Sequence, residues 1–117
     1  MAKVAINGLG RIGRATLKLI MEEQDLELSA VNDLSAPDEL AYMLRHDSVY
    51  GRYHKEVLTD RDTLIVDNRP IKVYNEKDPA QLPWGELGID LVFECTGMFT
   101  NPEGLEKHLQ AGARKAL

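Results

Sequence analysis

The chain has 117 residues, the length of one domain, and 44% of them are hydrophobic, which is enough for a buried core. Its net charge is −5, with acidic and basic residues interspersed, so we expect no nucleic-acid partner, because nucleic-acid-binding surfaces are clustered and basic. No apolar run approaches the roughly 18 residues of a membrane span. The N-terminus lacks the features of a signal peptide, and the single Cys95 cannot form an internal disulfide. We therefore expect a cytoplasmic protein with no membrane partner.

The first predicted elements are a buried strand over residues 3–6 and a helix over residues 11–23, joined by a glycine-rich turn. Gly8, Gly10 and Gly13 have the G-x-G-x-x-G spacing, which indicates a dinucleotide site when a strand precedes it and a helix follows. The first glycine is expected to permit a sharp turn, the second to leave room for a pyrophosphate, and the third to let the helix pack closely on the strand. The positive end of the helix would then face the phosphates.

Helical spacing predicts one apolar face on this helix, made of Ile12, Ala15, Thr16, Leu19 and Ile20. A second strand over residues 26–31 ends at Asn32 and Asp33. This succession of strand, helix and strand predicts the start of a doubly wound sheet.

Ser35 is expected to be the N-cap of the next helix, with Pro37 in its first turn, and the buried stripe of that helix is Leu40, Met43 and Leu44. The middle of the chain has a different pattern. Short alternating runs at 63–66 and 71–74 flank a turn at 67–70, which predicts a β-hairpin inserted on one side of the parallel sheet.

The last part of the chain returns to the α/β pattern. A short helical turn is expected at Trp84, followed by a buried strand over residues 89–94. Asn101 is the predicted cap and Pro102 the first residue of a final helix, which Gly112 is placed to end. The chain stops at the point where another strand should begin. The predicted fold is therefore α/β, a Rossmann-type doubly wound, mostly parallel sheet with a small antiparallel hairpin insertion, truncated at its C-terminal end.

Asp33 adds a second test of the glycine motif. It follows the second strand and lies 20 residues after Gly13, where a dinucleotide site needs an acid for the ribose hydroxyls. The alternative is that Asp33 is a simple turn or capping residue. Its carboxylate would repel the 2′-phosphate of NADP by about 1 kcal/mol in water at about 4 Å, and by about 4 kcal/mol at an effective dielectric constant of about 20. Leu34 offers no positive charge, so the sequence favours NAD over NADP.

Two further side chains, Cys95 and Phe99, are candidates for parts of a site. Cys95 ends a strand, but no histidine is obviously paired with it, so we interpret it as inert packing and not as a nucleophile. The histidines and the cysteine lack metal-site spacing, and no metal is expected. Phe99, at the carboxyl end of a strand, could belong to the core or flank the flat ring of a ligand.

Several motifs together resemble the phosphorylating glyceraldehyde-3-phosphate dehydrogenases. These are residues 7–14, 32–34, 47–51, 77–79 with 84–85, 96–100 and 108–113. The resemblance implies that Arg11 and Ile12 contact the pyrophosphate through their backbone, that Asp33 contacts the adenosine ribose, and that Lys77 lies near the adenosine half. The candidate cofactor-binding residues are Gly8, Gly10, Arg11, Ile12, Asn32, Asp33, Lys77, Thr96, Gly97 and Phe99. Leu9, Lys77 and Cys95 depart from the usual phenylalanine, arginine and serine of the family.

The resemblance also implies an activity. In this family a cysteine attacks a phosphorylated aldehyde, hydride passes to NAD, and phosphate releases the acyl group. These catalytic residues are expected downstream of Leu117, so we expect residues 1–117 to be an incomplete N-terminal NAD-binding domain without catalytic residues, inactive alone, and tetrameric when complete. Two alternatives stay open: an erythrose-4-phosphate dehydrogenase, and a stand-alone nucleotide-binding module.

Overall fold

The computed structural model describes residues 1–46, 53, 55–97 and 101–117. In chain order, its elements are β1 (Ala2–Asn7), α1 (Arg11–Met21), β2 (Leu26–Asn32), α2 (Pro37–Arg45), β3 (Val57–Asp60), β4 (Thr63–Val66), β5 (Arg69–Tyr74), a 3₁₀ turn (Pro79–Gln81), α3 (Trp84–Leu87), β6 (Leu91–Glu94), α4 (Pro102–Gln110) and β7 (Lys115–Ala116). Within these residues, no helix is both long enough and apolar enough to cross a membrane.

The strands form one sheet in the order β3-β4-β5-β2-β1-β6-β7. β1 pairs in parallel with β2 on one side and with β6 on the other, and β5 and β7 extend the parallel part outward. β3 and β4 are antiparallel and form the edge beyond β5. The chain thus builds the sheet in one direction from β1 and then returns to the other side of β1. This topology confirms the predicted Rossmann-type α/β fold.

Both faces of the sheet are buried. On β1, the side chains of Val4 and Ile6 belong to one hydrophobic cluster and that of Ala5 belongs to another. The first cluster includes Leu17 of α1 and the second includes the fully buried Trp84 of α3. Because both faces are covered, the buried residues of the parallel strands are apolar except at the carboxyl ends, where Asn7, Asn32 and Glu94 are buried.

The predicted hairpin is confirmed, and its turn is tighter than the sequence indicated. Asp67 and Asn68 have φ angles of 51° and 65°, the left-handed conformation that a two-residue type I′ turn requires. Because this turn needs only two residues, β5 begins at Arg69 and not at residue 71. β5 also pairs in parallel with β2, so the hairpin is continuous with the main sheet.

The predicted buried face of α1 is wrong. Ile12 and Leu19 are 70% and 71% exposed, and of the predicted face only Ile20 is buried. The buried positions of the helix are Gly13, Leu17, Ile20 and Met21. Periodicity gives the spacing of a helix face but not its rotation about the helix axis. That rotation is set by Gly13, where α1 comes closest to the preceding turn.

The two predicted helix caps have different outcomes. Ser35 is not the N-cap of α2; the N-cap is Ala36, because Ser35 donates its backbone N–H to the Asp33 carboxylate at 2.9 Å and the helix starts later. At α4 the prediction is confirmed. The Asn101 side chain accepts a backbone N–H of the first turn at 2.7 Å, and Gly112, with φ of 110°, follows the last residue of the helix end.

The end of the chain corrects one expectation. A strand follows α4 after all, because Lys115 and Ala116 pair in parallel with Leu91 and Val92 of β6. This short β7 covers part of the β6 edge of the sheet.

Candidate functional site

A cleft of about 410 Å³ opens at the carboxyl ends of β1, β2 and β6, where the order of the strands reverses. Open α/β sheets bind ligands at this kind of position. The residues that line the cleft are Asn7, Gly8, Gly10, Asn32, Asp33, Leu34, Glu76, Lys77, Cys95 and Thr96. The cleft therefore brings together six predicted site residues from four different loops: Gly8, Gly10, Asn32, Asp33, Lys77 and Thr96.

The remaining predicted site residues lie beside the cleft or outside the description. Arg11 and Ile12 are exposed in the first turn of α1, directly after Gly10, and are not part of the lining. Gly97 is exposed next to Thr96 and has a φ of 78°. Phe99 lies outside the described residues, as do the predicted motif residues 47–51.

The three glycines of the turn have three different environments. Gly8 has a φ of 95°, and a Cβ there would lie 2.7 Å from the methyl group of Thr96 and 2.9 Å from its backbone nitrogen. A Cβ on Gly13 would collide with the carbonyl oxygen of Gly8, so the third glycine packs against the turn itself and not against the strand. A Cβ on Gly10 would meet no atom of the described residues within 4 Å. Of the three glycines, only Gly10 therefore borders open space in the part of the chain that the structure describes.

Asp33 holds the turn in place. Its Oδ2 accepts the backbone N–H of Leu9 at 2.7 Å, and its Oδ1 accepts that of Ser35 at 2.9 Å. The carboxylate thereby connects the turn after β1 to the loop after β2. A carboxylate has about four lone-pair sites, so two acceptor sites are left. The two sequence interpretations of Asp33 are therefore compatible: it is a turn residue, and it keeps acceptors for a ligand.

The first turn of α1 offers backbone donors beside Gly10. Gly10 is the N-cap and has no side chain, and the first helical hydrogen bond runs from Arg14 N–H to the Gly10 carbonyl at 2.9 Å. The preceding N–H groups of a helix have no partner within it, and the helix dipole makes this end positive. No acidic residue occupies the first turn. An anion bordering Gly10 would meet these donors.

A row of polar side chains crosses the carboxyl ends of β1, β2 and β6; two of them, Asn7 and Asn32, form the floor of the cleft. Asn7 ends β1 and is in register with Asn32 at the end of β2 and with Glu94 at the end of β6. Asn7 donates to Glu94 Oε1 at 2.7 Å and accepts from the Asn32 amide at 2.8 Å. The Asn32 side chain also makes two hydrogen bonds with the backbone of Glu76: its Oδ1 accepts the Glu76 N–H at 2.8 Å, and its amide donates to the Glu76 carbonyl at 2.9 Å. The row thus runs from one wall of the cleft to the other.

Glu94 has a complete set of hydrogen bonds. Oε1 accepts from Asn7 and from His108 Nε2, both at 2.7 Å, and Oε2 accepts the backbone N–H and the hydroxyl of Thr96 at 2.9 and 2.6 Å. Burial raises the pKa of this carboxyl, but the hydrogen bonds from His108, Thr96 and Asn7 outweigh burial and hold the pKa below its ordinary value. Glu94 is therefore an ionised carboxylate at neutral pH.

His108 extends the row into the protein. The Trp84 indole N–H, which can only donate, binds His108 Nδ1 at 3.0 Å. His108 must therefore carry its proton on Nε2, and it donates this proton to Glu94. Among the residues that the structure describes, the buried polar side chains are Asn7, Asn32, Glu94 and His108, and all four belong to this network.

We expect Glu94 to make stability depend on pH. Because its pKa is lower in the folded chain than in the unfolded chain, its contribution is present above the ordinary carboxyl pKa and is lost as the pH falls through the folded value. Urea unfolding between about pH 7 and about pH 3 should show a steeper loss of stability for the wild type than for Glu94→Gln. The exposed Glu23→Gln should keep the wild-type slope. Equal slopes for the wild type and Glu94→Gln would contradict this expectation.

Cys95 has the environment of a structural thiol. Burial raises its pKa, the contact of Sγ with Thr16 Oγ1 at 4.0 Å opposes the rise, and the Glu94 carboxylate adds to it. The thiol therefore stays protonated at neutral pH, which supports the interpretation of Cys95 as packing beside the cleft. Within the described ranges, no group of three or more His, Cys, Asp or Glu side chains is arranged to hold a metal ion.

Of this polar network, the sequence prediction named only Asn32 as a site residue. Asn7, Glu94, His108 and Trp84 were assigned no role in a site. One signal was present: a polar residue ends or directly follows each of three predicted strands, and a buried polar side chain requires a partner. His108 and Trp84 gave no such signal, because each sits at a position that suits ordinary core packing.

The parallel sheet, the cleft at its reversal point, the glycine turn that opens α1 and the acid at the end of β2 define a Rossmann-type dinucleotide-binding domain. The family model described as "Glyceraldehyde 3-phosphate dehydrogenase, NAD binding domain" matches residues 2–102. The chain belongs to this family, and NAD is the cofactor of the domain. The resemblance inferred from the motifs is thus confirmed.

Curated relatives support the assignment. Glyceraldehyde-3-phosphate dehydrogenase of Debaryomyces hansenii is 48% identical over 97% of this chain, and the protein of the same name from Mycoplasma pneumoniae is 47% identical over 98%. That of Clostridium acetobutylicum is 48% identical over 100% of the chain. The chain spans only 34% to 35% of the length of these relatives.

Proposed function

We propose that the cleft binds NAD through the glycine turn and Asp33. The pyrophosphate borders Gly10 and meets the backbone N–H groups of Arg11 and Ile12, and the adenosine ribose binds the remaining acceptor sites of Asp33. The observation that carries the proposal is the geometry of Asp33, whose carboxylate is fixed by two backbone N–H groups and still lines the cleft. A carboxylate fixed in this way needs no reorganisation to accept ribose hydroxyls.

The other predicted site residues complete the proposed pocket. In this proposal Lys77 and Asn32 lie near the adenosine half, and Thr96 and Gly97 line the adenine and ribose walls. The resemblance implies the same role for Phe99, which lies outside the described residues. Lys77 keeps a positive charge where the family commonly has arginine, without the planar fork of a guanidinium. Lys77, Asn32 and Thr96 line the cleft, which supports this assignment.

We infer further that the chain is the NAD-binding part of an enzyme that oxidises a phosphorylated aldehyde, transfers hydride to NAD and forms an acyl phosphate. The names of the relatives support this reaction. The chain spans only 34% to 35% of the length of these relatives, which supports the inference that residues 1–117 are an incomplete NAD-binding domain and that the catalytic residues lie in the rest of the enzyme. The same inference includes a homotetramer and a cytoplasmic location for the whole enzyme.

Asp33→Ala tests the cofactor site. Loss of a charge-assisted hydrogen bond costs about 1.5–3 kcal/mol, so we expect NAD affinity to fall about 10- to 100-fold. The preference for NAD over NADP should narrow, because the repulsion of the 2′-phosphate is removed. Calorimetric titration of the 117-residue chain with each dinucleotide measures both effects.

The controls separate binding from folding. Asp33→Asn keeps one oxygen that can accept the Leu9 N–H while removing the charge, and it should also narrow the preference for NAD over NADP. Asp25→Ala removes an exposed carboxylate that directly precedes β2, at the amino ends of the strands, and should change the affinity for neither dinucleotide. Unchanged discrimination between NAD and NADP in both Asp33 variants would show that Asp33 does not contact the ribose.

A further inference from the structure

We propose that Glu94 is a positioning residue of the cofactor site, which fixes the wall formed by Thr96 and Gly97 relative to the glycine turn. This inference rests on the proposed binding of NAD in the cleft. Glu94 itself lies below the surface, with 8% of its area exposed, and is not part of the cleft lining. It therefore acts through the residues that it holds.

The first step concerns the two hydrogen bonds that one carboxylate oxygen of Glu94 accepts from Thr96. Oε2 accepts both the backbone N–H and the hydroxyl of Thr96, which fixes the backbone and the side-chain rotamer together. With the hydroxyl held by Glu94, the methyl group of Thr96 is directed to Gly8, where a Cβ would lie 2.7 Å from it. Glu94 thus sets the distance between the loop after β6 and the loop after β1.

The second step concerns the hydrogen bonds that fix the other carboxylate oxygen of Glu94. Oε1 is held by Asn7 on the floor and by His108 of α4, and Trp84 fixes the tautomer of that histidine. Hydrogen bonds from β1 and from α4 therefore fix the carboxylate that in turn binds Thr96. All of its lone-pair sites, about four, are used, so it cannot rotate without losing a bond.

Glutamine at position 94 cannot reproduce this arrangement. Its amide has one oxygen, and if that oxygen faces Asn7 and His108, its NH₂ group faces the Thr96 N–H, which can only donate. If the amide is reversed, the NH₂ group faces two donors, the Asn7 amide and His108 Nε2, which donates because Trp84 occupies Nδ1. The first orientation sets the NH₂ group against only one obligatory donor, because the Thr96 hydroxyl can also accept, so Glu94→Gln should release the Thr96 N–H.

The experiment uses two readouts on the 117-residue chain. Amide hydrogen exchange at Thr96, measured by NMR without NAD, reports directly on the hydrogen bond from the Thr96 N–H to Glu94. Exchange should be at least about 10-fold faster in Glu94→Gln than in the wild type. Titration with NAD reports the consequence, and affinity should fall about 10-fold. The readouts are independent: if the wild type fails to bind NAD, the proposed function fails, while hydrogen exchange still decides whether Glu94 positions Thr96.

Val66→Ala is the matched control. Val66 is fully buried in β4, which is separated from β6 by three strands, so the substitution lowers stability but leaves every hydrogen bond of Glu94 in place. At a temperature where both variants are folded, Val66→Ala should keep NAD affinity within about 2-fold and keep the Thr96 amide protected. An equal loss of NAD affinity in the two variants would overturn the positioning role, because the loss would then be explained by lower stability alone. Unchanged exchange at Thr96 in Glu94→Gln would overturn it as well.

A measurement on the wild type covers the case in which Glu94→Gln does not fold. The Thr96 amide should exchange at least about 10-fold more slowly than an unstructured amide at neutral pH. Its protection should fall before the global unfolding transition as acid protonates Glu94. An unprotected Thr96 amide in the wild type would overturn the proposal.

Discussion

Gly13→Ala is expected to lower the free energy of unfolding by about 3 kcal/mol or more, the upper end of the usual range for overpacking. The added Cβ would collide with the carbonyl oxygen of Gly8, and the backbone cannot move aside as a flexible side chain could. Either the turn or α1 must shift, and Leu17 and Ile20 would then leave their places against the sheet. Urea unfolding followed by circular dichroism measures the effect.

Gly10→Ala is the matched control for this prediction, because the same methyl group enters the same turn. Gly10 has a φ of −72°, which any residue adopts, and a Cβ there would meet no atom of the described residues within 4 Å. Alanine is a poorer N-cap than glycine, so a loss of about 1 kcal/mol is expected. Similar losses for the two variants would contradict the close approach of α1 to the turn.

These contrasting glycines show which part of the site could be predicted from the sequence. The spacing of Gly8, Gly10 and Gly13 and the position of Asp33 are local features, because each follows the end of a strand along the chain. The hairpin was equally local, since its turn residues and its alternating strands adjoin one another. Elements of this kind depend on neighbours within a few residues, and their interactions can be inferred from order and spacing.

The features that could not be predicted from the sequence depend on contacts between residues that are far apart in the chain. Asn7 meets Glu94 only because β1 and β6 pair in register, 87 residues apart. The rotation of α1 was misjudged for a related reason: Ile12 and Leu19 have the spacing of a buried face, but the contact between Gly13 and Gly8 turns that face to solvent. Periodicity carries no information about such a contact.

The glycine turn lies where three constraints meet. Asp33 holds the Leu9 N–H, Thr96 packs on Gly8, and Gly13 brings α1 against the same residue. The turn is therefore rigid before any ligand enters, which lowers the ordering cost of binding. Gly10 is the exception among the three glycines, because no atom of the described residues lies within 4 Å of the position that its Cβ would take. Apart from the preference for glycine over alanine at an N-cap, packing among these residues does not require a glycine here.

Gly10→Val is therefore expected to abolish NAD binding while the fold survives. A branched side chain would fill the space bordering the first turn of α1 and separate the pyrophosphate from the N–H groups of Arg11 and Ile12. Each lost hydrogen bond to a charged group costs about 1.5–3 kcal/mol, so affinity should fall at least about 100-fold. Calorimetric titration with NAD, beside urea unfolding of the same sample, separates the two effects.

The expected change in stability is only that of a poorer N-cap, about 1 kcal/mol. Gly10→Ser offers an intermediate case, because serine is a good N-cap and should keep full stability while its smaller side chain still narrows the cleft. Affinity should then fall in the order wild type, Gly10→Ser, Gly10→Val, with no parallel order in stability. Full affinity in Gly10→Val would place the pyrophosphate away from the turn, and the open space at Gly10 would need another explanation.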